Sequence, residues 1–358
     1  MIWTLPHIVA GTMVLSITAY VLLAGADFGG GVWDLVASGP RRKEQRVVIA
    51  NALGPVWEAN HVWLILVVVM LFSCFPAMYA HLSTELHVPL TLMLVGIVLR
   101  GSAFTFRSYD SQHDAAQQRW GLVFSVASVF TPVLLGMCIG TVVAGNIPMH
   151  ETPAAAVLAT PTFVARYIES WCTLFALSIG LLTLALFALL AATYLTVEAR
   201  TPEIRDDFRK RALWSALAVA LIAALSGVLA RRDAPLVFSA LTTGTRGVLL
   251  LSTTTFFALG ALWALWKRHY LIARVAVAAE AIFIVWGWAW AQYPFMMPPS
   301  RTIDSLAAPR ATLLWVMGTL IAGTAILLPS FFYLFKVFKS AEHSLAASDD
   351  STSFDHGH

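Results

Sequence analysis

The chain has 358 residues, 58% of them hydrophobic and only 12% charged, with a formal net charge of +3. Soluble domains carry about 25% charged residues, so this chain has too little polar surface to face water, and the bilayer becomes its solvent. The modest charge gives no reason to expect a nucleic-acid partner. Cys74, Cys138 and Cys172 all fall in apolar stretches without paired spacing, which argues against a disulfide framework or a thiolate metal site. The apolar runs are near-continuous rather than alternating, which predicts helices and not a barrel.

A spanning helix needs about 20 apolar residues. In chain order the pattern predicts nine, at 7–36, 46–75, 79–106, 120–145, 164–196, 212–230, 247–266, 270–293 and 311–336. No Lys or Arg precedes the first, so it reads as a retained helix and not a cleaved signal. The second is the least regular, with Pro55, Glu58 and Asn60 ahead of its clean apolar run from Val62. Loops 146–163 and 294–310 are rich in proline, and loop 198–211 is strongly charged. The expected fold is all-α and polytopic: about nine transmembrane helices over residues 1–339, as two four-helix bundles plus one peripheral helix. A polar, acidic tail at 340–358 reads as disordered, and its His356 and His358 as solvated and not as a metal site.

Basic residues favour the cytoplasmic side. Of the 23 Lys and Arg residues, fifteen fall at one set of helix ends and six at the other, with Arg100 and Arg274 inside helices. That asymmetry predicts the N-terminus outside and the C-terminus in the cytoplasm, which requires an odd number of spans.

Ionisable groups in hydrocarbon cost several kcal/mol and often mark an ion or proton path. The candidates are Asp27, Asp34, Glu58, His61, Glu85, Arg100, Glu169, Arg274 and Glu280, concentrated in the first three helices. Measured from their helix ends, Asp27 and Glu58 lie ~14–18 Å deep and Arg100 ~10 Å deep, all from the same face. His61 follows Glu58 by three residues and shares its face. Two carboxylates and a guanidinium thus line one polar route, or Asp27 pairs with Arg100 as a purely structural lock. Gly25, Gly29, Gly30 and Gly31 around Asp27 allow close helix packing, and Gly54-Pro55 loosens the helix ahead of Glu58. Asp34, Glu85 and Glu169 read as interfacial, Arg274 as snorkelling, and Glu280 as either a buried pair or a functional acid. His61 reads as an interior histidine and not a ligand.

These residues carry a resemblance. The run Gly25-Ala26-Asp27-Phe28-Gly29-Gly30-Gly31 ends the first helix, and Gly54-Pro55-Val56-Trp57-Glu58-Ala59-Asn60-His61-Val62-Trp63-Leu64-Ile65 opens the second. Arg100 follows in the third, and Gln292-Tyr293-Pro294-Phe295 closes the eighth. Together with length and helix count, this resembles subunit II of cytochrome bd-type quinol oxidases. The resemblance implies a partner, subunit I, that holds two haem b and one haem d, oxidises quinol and reduces oxygen to water. Subunit II is then a non-haem partner, not catalytic by itself, that supports the assembly and contributes to proton uptake from the cytoplasm. It implies a bacterial cytoplasmic (inner) membrane protein of the respiratory chain, surrounded by lipid, with small accessory subunits and a structural quinone in some relatives. The proton route maps onto Glu58, with Trp57, Asn60, His61, Asp27 and Arg100 around it. Two departures stand out: the family's Asp-Gly-Phe-Asp is here Ala24-Gly25-Ala26-Asp27, and the motif acid, often Asp, is Glu58. A proton-coupled secondary transporter shares buried carboxylates and a broken helix, but such folds carry inverted repeats, and none is evident. A stand-alone haem protein would need His61 and His87 as its axial pair.

Overall fold

The computed structural model describes the backbone of residues 4–109, 114–147, 162–326, 329–330 and 333, and their side chains except at 53–59, 107–109, 114–118 and 166. Backbone contacts divide the chain into two units, Met1–Ala307 and Ala308–His358. Unit 1 runs α1 (Leu5–Leu35), α2 (Arg42–Cys74), α3 (Pro76–Glu85), α4 (His87–Tyr109), α5 (Asp114–Ala144), α6 (Phe163–Tyr167), α7 (Leu174–Glu198), α8 (Pro202–Asp233), α9 (Pro235–Thr242), α10 (Thr245–Trp266) and α11 (Tyr270–Gln292). A short antiparallel hairpin, β1 (Phe295–Met297) and β2 (Arg301–Thr302), pairs Phe295 with Thr302 and leads into α12 (Ile303–Leu306). Unit 2, by itself, contributes the apolar helix α13 (Arg310–Ile326).

Seven helices among the described residues are long and apolar enough to cross a membrane, or eight if the bent pair 60–74 and 76–85 forms one span. The expected count of nine is therefore not reached among these residues. The expected ninth span, 311–336, and the tail boundary at 339/340 run past what is described. The expected third span, 79–106, is corrected. Residues 76–85 form a separate helix angled 115° from 60–74, and the span proper begins at His87. Pro76 has no amide to continue α2 and drives Phe75 out of the helical region, to φ −136° and ψ 58°. Pro89 likewise has no amide to offer the carbonyl of Glu85.

Two further boundaries move. The expected span 164–196 divides into α6 and α7, with Thr173 capping α7 through a 3.1 Å bond from the Ala176 amide. The charged stretch 198–211, expected as a loop, is largely the first turns of α8, where Pro202 occupies the start and Glu203 meets the positive end of the dipole. Through Gly54-Pro55, where loosening was expected, α2 continues as one helix.

Helix α1 is the centre of the unit, touching α2, α5, α7 and α11. Close approach there depends on missing side chains. A Cβ on Gly29 would lie 2.0 Å from the Phe187 carbonyl oxygen, and one on Gly31 2.1 Å from Ser128 Oγ. Lipid offers no hydrophobic drive between helices, so such small-residue contact supplies the packing. The Trp33 indole N–H donates to the Ala188 carbonyl at 2.8 Å and fixes the α1–α7 register. At the end of α5, Gly145 takes a positive φ of 70° and would, with a Cβ, meet the Pro298 carbonyl of the hairpin at 2.9 Å.

Because the Gly29 conflict is with backbone, no rotamer relieves it. Gly29→Ala is expected to destabilise the purified protein by about 1–3 kcal/mol. Gly11→Ala, with nothing within 4 Å, should stay within about 0.5 kcal/mol of wild type. Thermal unfolding in detergent, followed by size-exclusion chromatography, compares the two.

Candidate functional site

Four helices meet at one buried point. Asp27 comes from α1, Asn60 from α2, Arg100 from α4 and Ser128 from α5; none is more than 1% exposed. Arg100 grips Asp27 with both arms: Nη1 donates to Oδ2 at 2.8 Å, and Nη2 donates to Oδ1 and, at 3.1 Å, to the Asp27 carbonyl. Its Nε donates to Ser128 Oγ at 2.9 Å, and that hydroxyl passes its own proton to the Phe124 carbonyl at 2.7 Å. The Asn60 amide donates to Asp27 Oδ2 at 2.6 Å. Phe28 and Phe124 place their rings 4.6 and 4.7 Å from the guanidinium carbon, so the cation also rests on two aromatic faces.

Every N–H of this guanidinium fork that reaches the carboxylate adds to a charge-assisted pair. In a water-free interior such a pair persists only when its remaining bonding capacity is met. One atom is left over: Asn60 Oδ1 is buried and has no hydrogen-bond partner among the described residues. It is an open acceptor beside the carboxylate.

Of the sequence-predicted residues, Asp27, Asn60 and Arg100 are thus brought together. His61 is half-buried on the next position of α2. Trp57 and Glu58 belong to the backbone of α2, but their side chains lie outside the described residues. Asp34, expected at the solvated interface, is instead 1% exposed. It accepts from Ser125 Oγ at 3.0 Å and faces Arg46 Nε at 3.5 Å. The reason is that α5 and α2 close over the last turn of α1. Glu85, also expected at the interface, is 3% exposed at the end of α3, because the 115° bend turns that helix inward rather than continuing the span. Glu169 is exposed. Arg274 lies 4.4 Å from the Tyr194 ring and 3.9 Å from Glu198. Glu280 is buried midway along α11, with no ion pair among the described residues.

Sequence reading passed over Ser125 and Ser128, which sit in the part of α5, from Trp120 onward, that carries no charged residue. The available signal was the polar stripe Ser125, Ser128 and Thr131, spaced by three along an otherwise apolar α5. A second network lies at the ends of α1, α2 and α8. Arg41 donates to both oxygens of Asp207, at 2.9 and 2.6 Å, and Gln45 donates to the same carboxylate at 2.9 Å. The hydrogen bonds and charge of Asp207 raise the Arg41 pKa above its ordinary value. No group of three or more His, Cys, Asp or Glu side chains among the described residues is placed to hold a metal.

Removing one member of the central pair leaves the other charge buried and uncompensated. Arg100→Gln and Asp27→Asn are each expected to cost about 3–5 kcal/mol. The double variant should cost clearly less than the two losses added together. A double-mutant cycle on thermal unfolding measures the coupling.

The model for the cytochrome bd terminal oxidase subunit II family matches residues 5–338. A Bacillus subtilis (strain 168) protein provisionally named cytochrome bd menaquinol oxidase subunit II is 23% identical over 329 residues, 89% of this chain and 91% of its own length. Cytochrome bd-I ubiquinol oxidase subunit 2 of Escherichia coli (strain K12) is 25% identical over 209 residues, 58% of this chain and 52% of its own. A chain of the bd oxidase structure from Geobacillus thermodenitrificans shares the fold, with a TM-score of 0.74 at 21% identity, covering 94% of this chain and 98% of that one. The protein belongs to the cytochrome bd terminal oxidase subunit II family.

Proposed function

We propose that this chain is the non-haem partner of a haem-bearing subunit I in a terminal quinol:oxygen oxidoreductase. It braces that partner and carries protons from the cytoplasm toward the site of oxygen reduction. The observation behind the proton role is the Asp27–Arg100–Asn60 network, an ionised cluster deep in apolar helices and two residues from Glu58. Asp27 and Arg100 are committed to each other through paired hydrogen bonds and brace the helices around the route. The titrating role falls to Glu58, which has one more methylene than the acid common in the family and does the work of the acid missing at Ala24. Trp57, Asn60 and His61 are its near neighbours in the sequence, and the open acceptor Asn60 Oδ1 suits a water that hands on a proton.

Haem, two b-type and one d-type, is assigned to the partner. The haems supply the electron storage and oxygen binding; this chain's residues supply shape, charge and proton delivery. The excess of basic residues at one set of ends supports a cytoplasmic C-terminus and an extracytoplasmic N-terminus in a bacterial inner membrane.

The chain is expected to co-purify with a haem-bearing protein, and an absorption spectrum of that material reads it directly. In the same preparation Glu58→Gln should slow oxygen consumption by about tenfold or more and leave the haem bands intact. Unchanged turnover would remove Glu58 from the proton route. Loss of the haem bands would instead give it a structural role.

A further inference from the structure

The second polar network holds an arginine with an unused N–H among the described residues. A cleft of about 280 Å³ opens between the turn at residues 38–41 and α8, with Arg41, Gln45, Lys210 and Arg211 on its walls. Asp207 also lines it, but its carboxylate is taken by Arg41 and Gln45. Lys210 leans on Asp206 at 3.3 Å, a carboxylate shared with Arg209 and Arg268. Glu44 and Glu203 are exposed carboxylates near Arg41. Among the described residues Arg211 makes no direct ion pair, and only the field of Asp207 reaches it. Its Nη2 donates to the neutral Gln45 Oε1 at 2.7 Å, and its Nη1 is buried with no hydrogen-bond partner among the described residues. The guanidinium carbon lies 5.4 Å from the Trp33 ring and 5.3 Å from the Phe208 ring.

An arginine packed beside aromatic rings with an unused N–H is pre-organised for a multi-oxygen anion. Its level in the fold identifies the source. Trp33 and Phe208 stand at the inner ends of spanning helices, where the apolar part of α1 stops and that of α8 begins. Headgroups lie at that depth, and basic clefts between spanning helices bind anionic lipid heads. We propose that this cleft is a binding site for a phosphate-bearing anion, the headgroup of an anionic phospholipid, with Arg211 as the principal donor and Lys210 as a second cation at the rim.

The test uses the full chain extracted with its bound partners, stripped of lipid and then exposed to phosphatidylglycerol, phosphatidylcholine or inorganic phosphate, with retained ligand measured by mass spectrometry. Wild type should retain phosphatidylglycerol over phosphatidylcholine. Arg211→Gln should weaken that retention about tenfold, the equivalent of one lost charge-assisted hydrogen bond, and Arg246→Gln, in the first turn of α10 beside the Trp290 ring, should not. Lys210→Gln, whose side chain is 65% exposed, keeps the test open if Arg211→Gln does not fold, and should weaken retention by a smaller factor. If inorganic phosphate binds with the same dependence on Arg211 while the two lipids do not differ, the anion is free phosphate. If phosphatidylglycerol retention ignores Arg211 and Lys210, the proposal falls. It also falls if Arg211→Gln releases a partner chain and leaves lipid retention unchanged, since a partner's carboxylate then fills the cleft.

Discussion

A charge in lipid has nowhere to go. Water solvates an arginine from all sides; hydrocarbon does not, and the idealised cost of moving such an ion into a medium of low dielectric constant is on the order of 20 kcal/mol. Arg100, 1% exposed, exists in this bundle only because Asp27, Ser128, Phe28 and Phe124 stand around it. The pair constrains far more than itself. It draws on α1, α4 and α5 directly and on α2 through Asn60, so four helices must hold their depth and rotation for one guanidinium to be satisfied.

The small residues serve this constraint. Gly31 lets Ser128 approach α1, and Gly29 lets the backbone of α7 lie against the opposite side. Thr131, two turns along the α5 stripe from Ser125, fills the gap left by Gly96 on α4. Polar contact and glycine contact therefore alternate over the same helix surfaces. In a medium without hydrophobic drive between helices, that combination of close backbone packing and interhelical hydrogen bonds is what holds spanning helices together.

The proposed proton route gains a division of labour from this geometry. The Asp27 carboxylate is already engaged by two N–H donors of Arg100 and by the Asn60 amide, so its geometry is committed to holding helices together. Buried polar clusters in spanning segments are expected to have a functional side, and under the proposed route the bracing pair belongs to α1 and α4 while the proton carrier belongs to α2.

Composition and run length were enough to require a helical membrane protein, since they set how much of the chain must leave water and how long each crossing is. They were enough, too, to single out Asp27 and Arg100, because ionisable residues amid apolar runs are conspicuous, whereas Asn60 entered through the motif that carries the family resemblance. Helix breaks were less legible. Pro76 and Pro89 are plain in the sequence, yet whether a proline kinks, bends by 115° or merely starts a new helix depends on what packs beside it. Burial was least legible of all. Asp34 and Glu85 read as interfacial from their distance to a helix end, and both are buried. Ser128 read as nothing at all and holds Arg100. Position along a helix follows from the sequence of that helix alone. Rotation about its axis, and hence which side chains meet, is decided only when neighbouring helices compete for the same contacts.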